Sequence, residues 1–339
     1  MIAERLAAQL LSGKHARTAA EVAERLLAVQ AQDPRGARLA VRARTAGLVA
    51  SDVDRALTKE RSLVITWLNR GTLHLVRSED YRWLHPLTTP PLLTGNARRL
   101  AQEGVPPEDA ERGVDVIERS LTSEGPLTRP QLRERIAAVG VRVEGQALVH
   151  ILVLANLRGI AVRGPMTGGE HAYALVRDWL GAPPPAVDRD VALAELARRY
   201  LAGHGPADER DLARWAGLPL RDARRALAAI GSKLDQRGGG LVSLAGAHGG
   251  EELPPPRLLG AYDPVLLGWA SREPIVGPHK DIVTVNGLFR PFALVRGRAA
   301  GTWSVAGNKV TLKPFAKLAA ADTEALDAEA ADVTRFLAS

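Results

Sequence analysis

One pattern is written twice in this sequence and narrows what the chain can fold into. Gly-Pro followed, six residues after the proline, by leucine occurs as Gly125-Pro126 with Leu132, and again 80 residues further on as Gly205-Pro206 with Leu212. Both copies have the same surroundings: a helical stretch before, two helical stretches after, then a β-hairpin pattern. An internal repeat of this kind is one supersecondary unit used in tandem, its copies sharing interfaces.

The unit holding the first copy opens with a long helix from near Pro107 to Leu121. Thr128 and Gln131 cap a short helix, Gly140 closes it, and a helix from about Val143 to Leu157 follows. The hairpin runs from Gly159 to Arg163, turns through Gly164-Pro165-Met166-Thr167-Gly168-Gly169 and returns from Glu170 to Val176. Around the second copy lie a helix from about Asp190 to Leu201, Gly217 separating a short helix from Pro219 to Ile230, and a wing from Leu234 to Leu244 around Gly238-Gly239-Gly240.

The N-terminal stretch has the same ingredients. A helix over roughly 3–12 ends at Gly13, Thr18-Ala19-Ala20-Glu21 forms the capping box of a second helix striped by Val22, Leu26 and Val29, and Asp52 to Glu60 forms a third. Leu63 to Leu68 and Thr72 to Val76 are the arms of a hairpin about Asn69-Arg70-Gly71. Helices closed by a hairpin give the order of a winged helix-turn-helix. The expected fold is therefore mainly α with β, with three tandem winged helix-turn-helix modules.

Beyond Pro254-Pro255-Pro256 the chain changes to short β-rich runs: Ile282 to Val285, Pro291 to Val295, Thr302 to Val305 and Val310 to Leu312. Turns at Asn286-Gly287, Arg296-Gly297-Arg298 and Ala306-Gly307-Asn308 predict a small C-terminal β-barrel with Trp303 and Phe289 in its core, followed by a helix from about Asp322 to Leu337. Expected boundaries are 1–104, 105–183, 184–250 and 251–339. The first includes a helical linker over 78–103, broken at Pro86 and Pro90-Pro91, and Ala182-Pro183-Pro184-Pro185 ends the second.

A formal charge of +7, 45 Lys plus Arg and a pI near 10.0 suit an anionic partner, most commonly nucleic acid, although an arginine-rich proteome gives the same balance. The sequence has no cysteine, which removes disulfides, zinc fingers, iron–sulfur clusters and thiol nucleophiles. It also has no phosphate-binding loop, dinucleotide fingerprint or His-Glu-x-x-His, and its eight histidines are scattered, so no cofactor and no metal are expected. Met1 to Leu6 carries charge where a signal peptide needs an apolar core, and no apolar run approaches spanning length. A soluble, cytoplasmic protein without a membrane partner is expected.

Between the second helix and Pro34 lies Leu26-Leu27-Ala28-Val29-Gln30-Ala31-Gln32-Asp33. The proline disfavours helical geometry at Asp33, and in an extended exit Gln30 and Gln32 share a side. Two amides facing one way could hold a water or a base; the same residues also suit a polar helix end. Arg70, Thr72 and His74 alternate along one hairpin arm, where they could line a cleft or meet a phosphate, and a lone histidine on a strand also suits a structural role. Arg158, Arg163 and His171 on the second hairpin are candidates for groove or phosphate contact. Asp263 precedes Pro264 and suits a turn or cap, with a supporting carboxylate as its other role.

Five segments, Val29 to Pro34, Trp67 to Val76, Leu258 to Gly268, Asn286 to Pro291 and Gly301-Thr302-Trp303, together resemble the HTH_42 winged-helix family, which includes the AlkZ and YcaQ DNA glycosylases. They occur in the family's order and span most of the chain. The family's catalytic element is glutamine, an apolar residue, then glutamine or aspartate. Gln30 and Gln32 match the glutamine form, so the chain looks more like the AlkZ branch.

The resemblance implies a C-shaped, three-winged-helix protein acting as a monofunctional DNA glycosylase without lyase activity. Its partner would be double-stranded DNA containing N7-alkylated purines, including bulky adducts or interstrand crosslinks, in repair or in self-resistance to a genotoxic natural product. The chemistry agrees with the residues. An N7-alkylated purine already carries positive charge, so it leaves without a general acid, and amides that accept hydrogen bonds but take up no proton near neutral pH can position a water. A crosslinked base cannot swing fully into a snug pocket, which favours an open cleft. The alternative is a non-catalytic winged-helix regulator; such proteins usually dimerise, and no heptad or self-pairing segment is visible, so a monomer is expected.

Overall fold

The structure, a computed structural model, describes residues 1–183, 185–247, 250, 252–284 and 287–338. The chain begins with α1 (Ile2–Ala8), α2 (Ala19–Leu26), a short strand β1 (Val29–Gln30), α3 (Pro34–Arg42), α4 (Ala50–Thr58) and the hairpin β2 (Leu63–Leu68) and β3 (Thr72–Arg77). α5 (Ser78–Thr88), which continues through Pro86, and α6 (Pro90–Gln102) occupy the expected helical linker. Next come α7 (Pro107–Glu124), α8 (Arg129–Ala138), α9 (Ala147–Leu157), the hairpin β4 (Ala161–Thr167) and β5 (Glu170–Leu175), and a short α10 (Val176–Leu180). α11 (Arg189–His204), α12 (Glu209–Ala216), α13 (Leu220–Ala229), β6 (Leu234–Gln236) and β7 (Val242–Leu244) follow. The last part holds β8 (Arg257–Leu259), α14 (Glu273–Val276), β9 (Phe292–Val295), β10 (Arg298–Ala306), β11 (Lys309–Pro314) and α15 (Ala320–Leu337).

The fold is thus mixed α and β, and the repeat in the sequence acquires a physical meaning. The residue after each Gly-Pro makes an antiparallel bridge to its own hairpin: Leu127 to Tyr173 of β5, and Ala207 to Val242 of β7. Six residues after each proline, Leu132 and Leu212 are fully buried. The motif therefore ties the entry of the second helix to the hairpin and then anchors that helix in the core.

The chain divides into two compact units, Met1–Val53 with Arg189–Ser339, and Asp54–Asp188. In the second, the strands lie in the order β3-β2-β4-β5, with Ile65 opposite Arg163 joining the two hairpins. α9 is apolar on nearly all faces; Leu148, Ile151, Leu152 and Ala155 are at most 2% exposed, so this helix is interior. The core of the first unit is built from both ends of the sequence, Leu6, Leu11 and Ala43 packing with Leu259, Leu266, Phe292 and Leu294.

The expected C-terminal barrel is not formed. The strands make an open sheet in the order β11-β10-β9-β8, and among the described residues β8 pairs only with β9 and β11 only with β10. Closure would need β8 to meet β11, but β8 is three residues long, and α15 packs against both strands instead. Glu329 of α15 accepts the Leu258 N–H of β8 at 2.9 Å, supplying a partner for that backbone. Trp303 is buried under the sheet and donates to the Leu259 carbonyl at 2.9 Å, while Phe289 is half-buried against Tyr262. In the run from Ile282, Val283 makes one bridge to Phe289; Val285 and Asn286 lie outside the described residues. Neither α3 nor β8 is anticipated by the sequence reading.

Candidate active site

The glutamine stretch is shaped by what stands on either side of it. α2 stops at Leu26 because Leu27 takes a positive φ of 62°, a conformation uncommon for a bulky side chain, and the Ala28 N–H turns back to the Leu26 carbonyl at 2.7 Å. Leu26, Leu27, Val29 and Ala31 are buried, which fixes this reversal in the interior. On the far side Asp33 is the N-cap of α3. Its Oδ1 accepts the Arg35 and Gly36 N–H groups at 2.8 and 3.0 Å, and Pro34 occupies the first turn, where its missing N–H costs nothing.

α3 is in turn seated on the C-terminal part of the chain. A Cβ on Gly36 would lie 2.3 Å from the Ala261 carbonyl oxygen, and one on Gly260 would lie 2.9 Å from Leu39 Cβ. Only glycine allows the two backbones to meet so closely. Arg42 at the end of α3 binds the Leu258 carbonyl, Glu329 and Asp332.

In this setting Gln30 is 6% exposed at the end of β1 whereas Gln32 is exposed. An unbroken extended exit would give the two side chains like burial; the bend at Gln32 before the α3 cap interrupts the alternation. One amide therefore has an environment of fixed protein groups and the other meets solvent.

Asp263 is placed as a buried ion-pair partner. Its Oδ1 and Oδ2 accept from the Arg44 guanidinium at 2.8 and 2.9 Å, both side chains fully buried, and Oδ1 also caps the turn at the Val265 N–H, 3.0 Å away. Gln9 and the Ala40 carbonyl take the remaining Arg44 donors. A carboxylate held in this way orders the 260–266 segment and is shut off from solvent.

In the second unit Arg70 lies in the hairpin turn, with Asn69 and Gly71 both at positive φ, so only Thr72 and His74 share a face of β3. His74 is 2% exposed. Its Nδ1 lies 2.8 Å from the Thr72 carbonyl, and since a carbonyl only accepts, Nδ1 carries the proton. Burial, reinforced by the nearby Arg70 charge and opposed by the Thr72 hydrogen bond, lowers its pKa to about 3. A ring kept neutral has no charge to offer a phosphate.

The second-hairpin candidates are each engaged separately. Arg158, at the end of α9, forms a forked ion pair with Glu111 of α7. Arg163 lies over the Tyr173 ring, 5.6 Å from its centroid, and His171 is buried on β5 opposite Met166. Thr66 and Asn69, two fully buried polar residues of the first hairpin, were not singled out by sequence reasoning; the signal available was an asparagine at a turn position that needs positive φ. Among the described residues no group of His, Asp and Glu could hold a metal ion, and no helix is long and apolar enough to cross a membrane.

Units of helices closed by hairpins, on a basic chain with a structured pair of amides, define a nucleic-acid-directed architecture. Residues 23–336 match the model of the AlkZ-like DNA glycosylases, and the chain belongs to that family. It is 27% identical to an interstrand DNA cross-link repair glycosylase of Streptomyces sahachiroi, the match covering 99% of this chain and 95% of the relative. The solved structure of the DNA glycosylase AlkZ from the same organism superimposes with a TM-score of 0.80, over the same shares of both chains.

Proposed function

We propose that this DNA glycosylase releases N7-alkylated purines from double-stranded DNA, bulky adducts and interstrand crosslinks included, and that Gln30 and Gln32 position the attacking water. The carrying observation is the Gln30-Ala31-Gln32 stretch itself, set between the end of α2 and the cap of α3 in a chain of the AlkZ-like glycosylase family: the adjoining Asp33 serves as the α3 cap through Oδ1, and Asp263 is paired with Arg44. That leaves amides, which orient a water and present dipoles but accept no proton near neutral pH. Such a site suits a leaving group that is activated beforehand.

Water adds to C1′ as the bond from C1′ to N9 breaks; its electron pair enters the cationic ring, the base leaves neutral, and the surplus water proton passes to solvent. An undamaged purine, with no charge to receive the pair, is left intact. The stretch offers no amine to form a Schiff base, which supports a monofunctional reaction. The relative named for cross-link repair supports the bulky end of the substrate range. We read the three helix–helix–hairpin repeats as winged helices that contact the duplex.

The test is single-turnover release of N7-methylguanine and of a bulkier N7 adduct from duplex DNA. Gln30→Ala or Gln32→Ala is expected to slow release by roughly a hundredfold or more, the scale of losing one oriented polar group in a preorganised site, with DNA affinity unchanged. Wild-type protein that leaves no abasic sites in either substrate refutes the proposal, and two fully active variants move the chemistry to other residues.

A further inference from the structure

Four side-chain atoms around the turn of the first hairpin are buried with no hydrogen-bond partner among the described residues: Thr66 Oγ1, Asn69 Nδ2, Asn69 Oδ1 and Thr72 Oγ1. They fall within seven residues of sequence and all belong to the second unit. Buried polar groups are nearly always hydrogen-bonded, because desolvation without a partner is costly. A single such atom is unremarkable; this group, with both ends of one carboxamide, calls for a ligand.

The register groups them. Thr66 pairs across the hairpin with His74, and Leu68 with Thr72, so Thr66, Thr72 and His74 stand on one face, with Asn69 at φ 52° in the turn that joins the arms. The tautomer fixed by the Thr72 carbonyl leaves the lone pair of His74 on Nε2. The set contains hydroxyls and an amide that donate and accept, beside an imidazole nitrogen that only accepts. Thr66 and Asn69 are 0% exposed and His74 2%, so whatever satisfies them is small and uncharged. Water matches, since a buried water takes two to four polar partners of both kinds.

We propose that the turn end of this hairpin is a water-binding site, in which Thr66, Asn69 and Thr72 hold ordered water against His74 Nε2.

Two measurements test it. Thr66→Val is shape-conserving: a dry site gains stability when the hydroxyl is removed, whereas a hydrated one loses a water contact. The expected result is a lower Tm, with Thr66→Ser restoring it. Asn69→Gly keeps the positive φ and removes the carboxamide; it is expected to act in the same direction. A raised or unchanged Tm overturns the proposal. In wild-type protein, water-to-protein cross-relaxation in NMR at the Thr66 and Asn69 side chains reads the site without any reaction. Its absence sinks the water site.

Discussion

Mild acid should weaken this protein through three buried histidines. Burial is the first cause in each: it lowers the pKa of His74 and of His204 to about 3, and that of His85 to about 4. His204 is stacked on Tyr200 at 4.9 Å and enclosed by Trp215 and Trp269, while His85 donates from Nε2 to the Asn156 carbonyl at 2.8 Å. Above pH 6.5 the folded and unfolded chains are both neutral at these positions, and the shifts contribute nothing. Below it the unfolded chain takes up protons that the folded chain refuses, so stability falls with pH down to the folded pKa values. The slope is about 1.4 kcal/mol per histidine per pH unit, which at pH 5 amounts to about 2 kcal/mol each and roughly 6 kcal/mol for the three. His74 and His85 lie in the second unit and His204 in the first, so if the units melt separately the second loses about 4 and the first about 2 kcal/mol. Urea unfolding at pH 7.5 and 5.0, followed by tryptophan fluorescence, measures the loss. Asp211, whose pKa burial raises, acts with the opposite sign in the first unit, so His204→Gln at both pH values isolates the histidine. A denaturation midpoint that is equal or higher at pH 5.0 refutes the reasoning, as does any imidazole of the three titrating near pH 6.5 in the folded protein by NMR.

Other outcomes follow from the packing. A Cβ on Gly203 would lie 2.2 Å from the Arg25 carbonyl oxygen, where α11 crosses α2, so Gly203→Ala should cost about 3 kcal/mol or more, read as a drop in Tm. Gly36→Ala forces α3 off Ala261 and should reduce base release as well as stability; full activity would detach the glutamine stretch from that contact. Asp263→Asn leaves Arg44 buried without its counter-ion and should destabilise by about 3–5 kcal/mol, whereas loss of activity at unchanged Tm would reinstate Asp263 as a reacting carboxylate.

Local rules carried much of the architecture. The Thr18 cap, the turn at Asn69-Arg70-Gly71 and the Gly-Pro repeat are short-range signals, and each corresponds to an element in the structure. Asp33-Pro34 was legible too, but as a stop: the same two residues are the N-cap and first turn of α3, so a break and a beginning share one signature. The barrel was inferred from strand count, and closure depends on what covers the edges, here α15, which no strand pattern encodes. At the candidate site the residue types were visible while their environments were not. Nothing local to Gln30 and Gln32 separates the buried amide from the exposed one. Nothing local to Asp263 reveals Arg44, 219 residues earlier in the chain.

That separation has a consequence for the order in which the protein is made. The stretch carrying Gln30 and Gln32 is synthesised before residues 260–263, but α3, which holds it, is seated by Gly260 and Ala261, and Arg44 waits for Asp263. The whole second unit is synthesised in between. A nascent or prematurely terminated chain ending before residue 260 therefore lacks the backbone against which α3 is set. A chain interrupted between the two segments carries the glutamine stretch without the contact that sets α3.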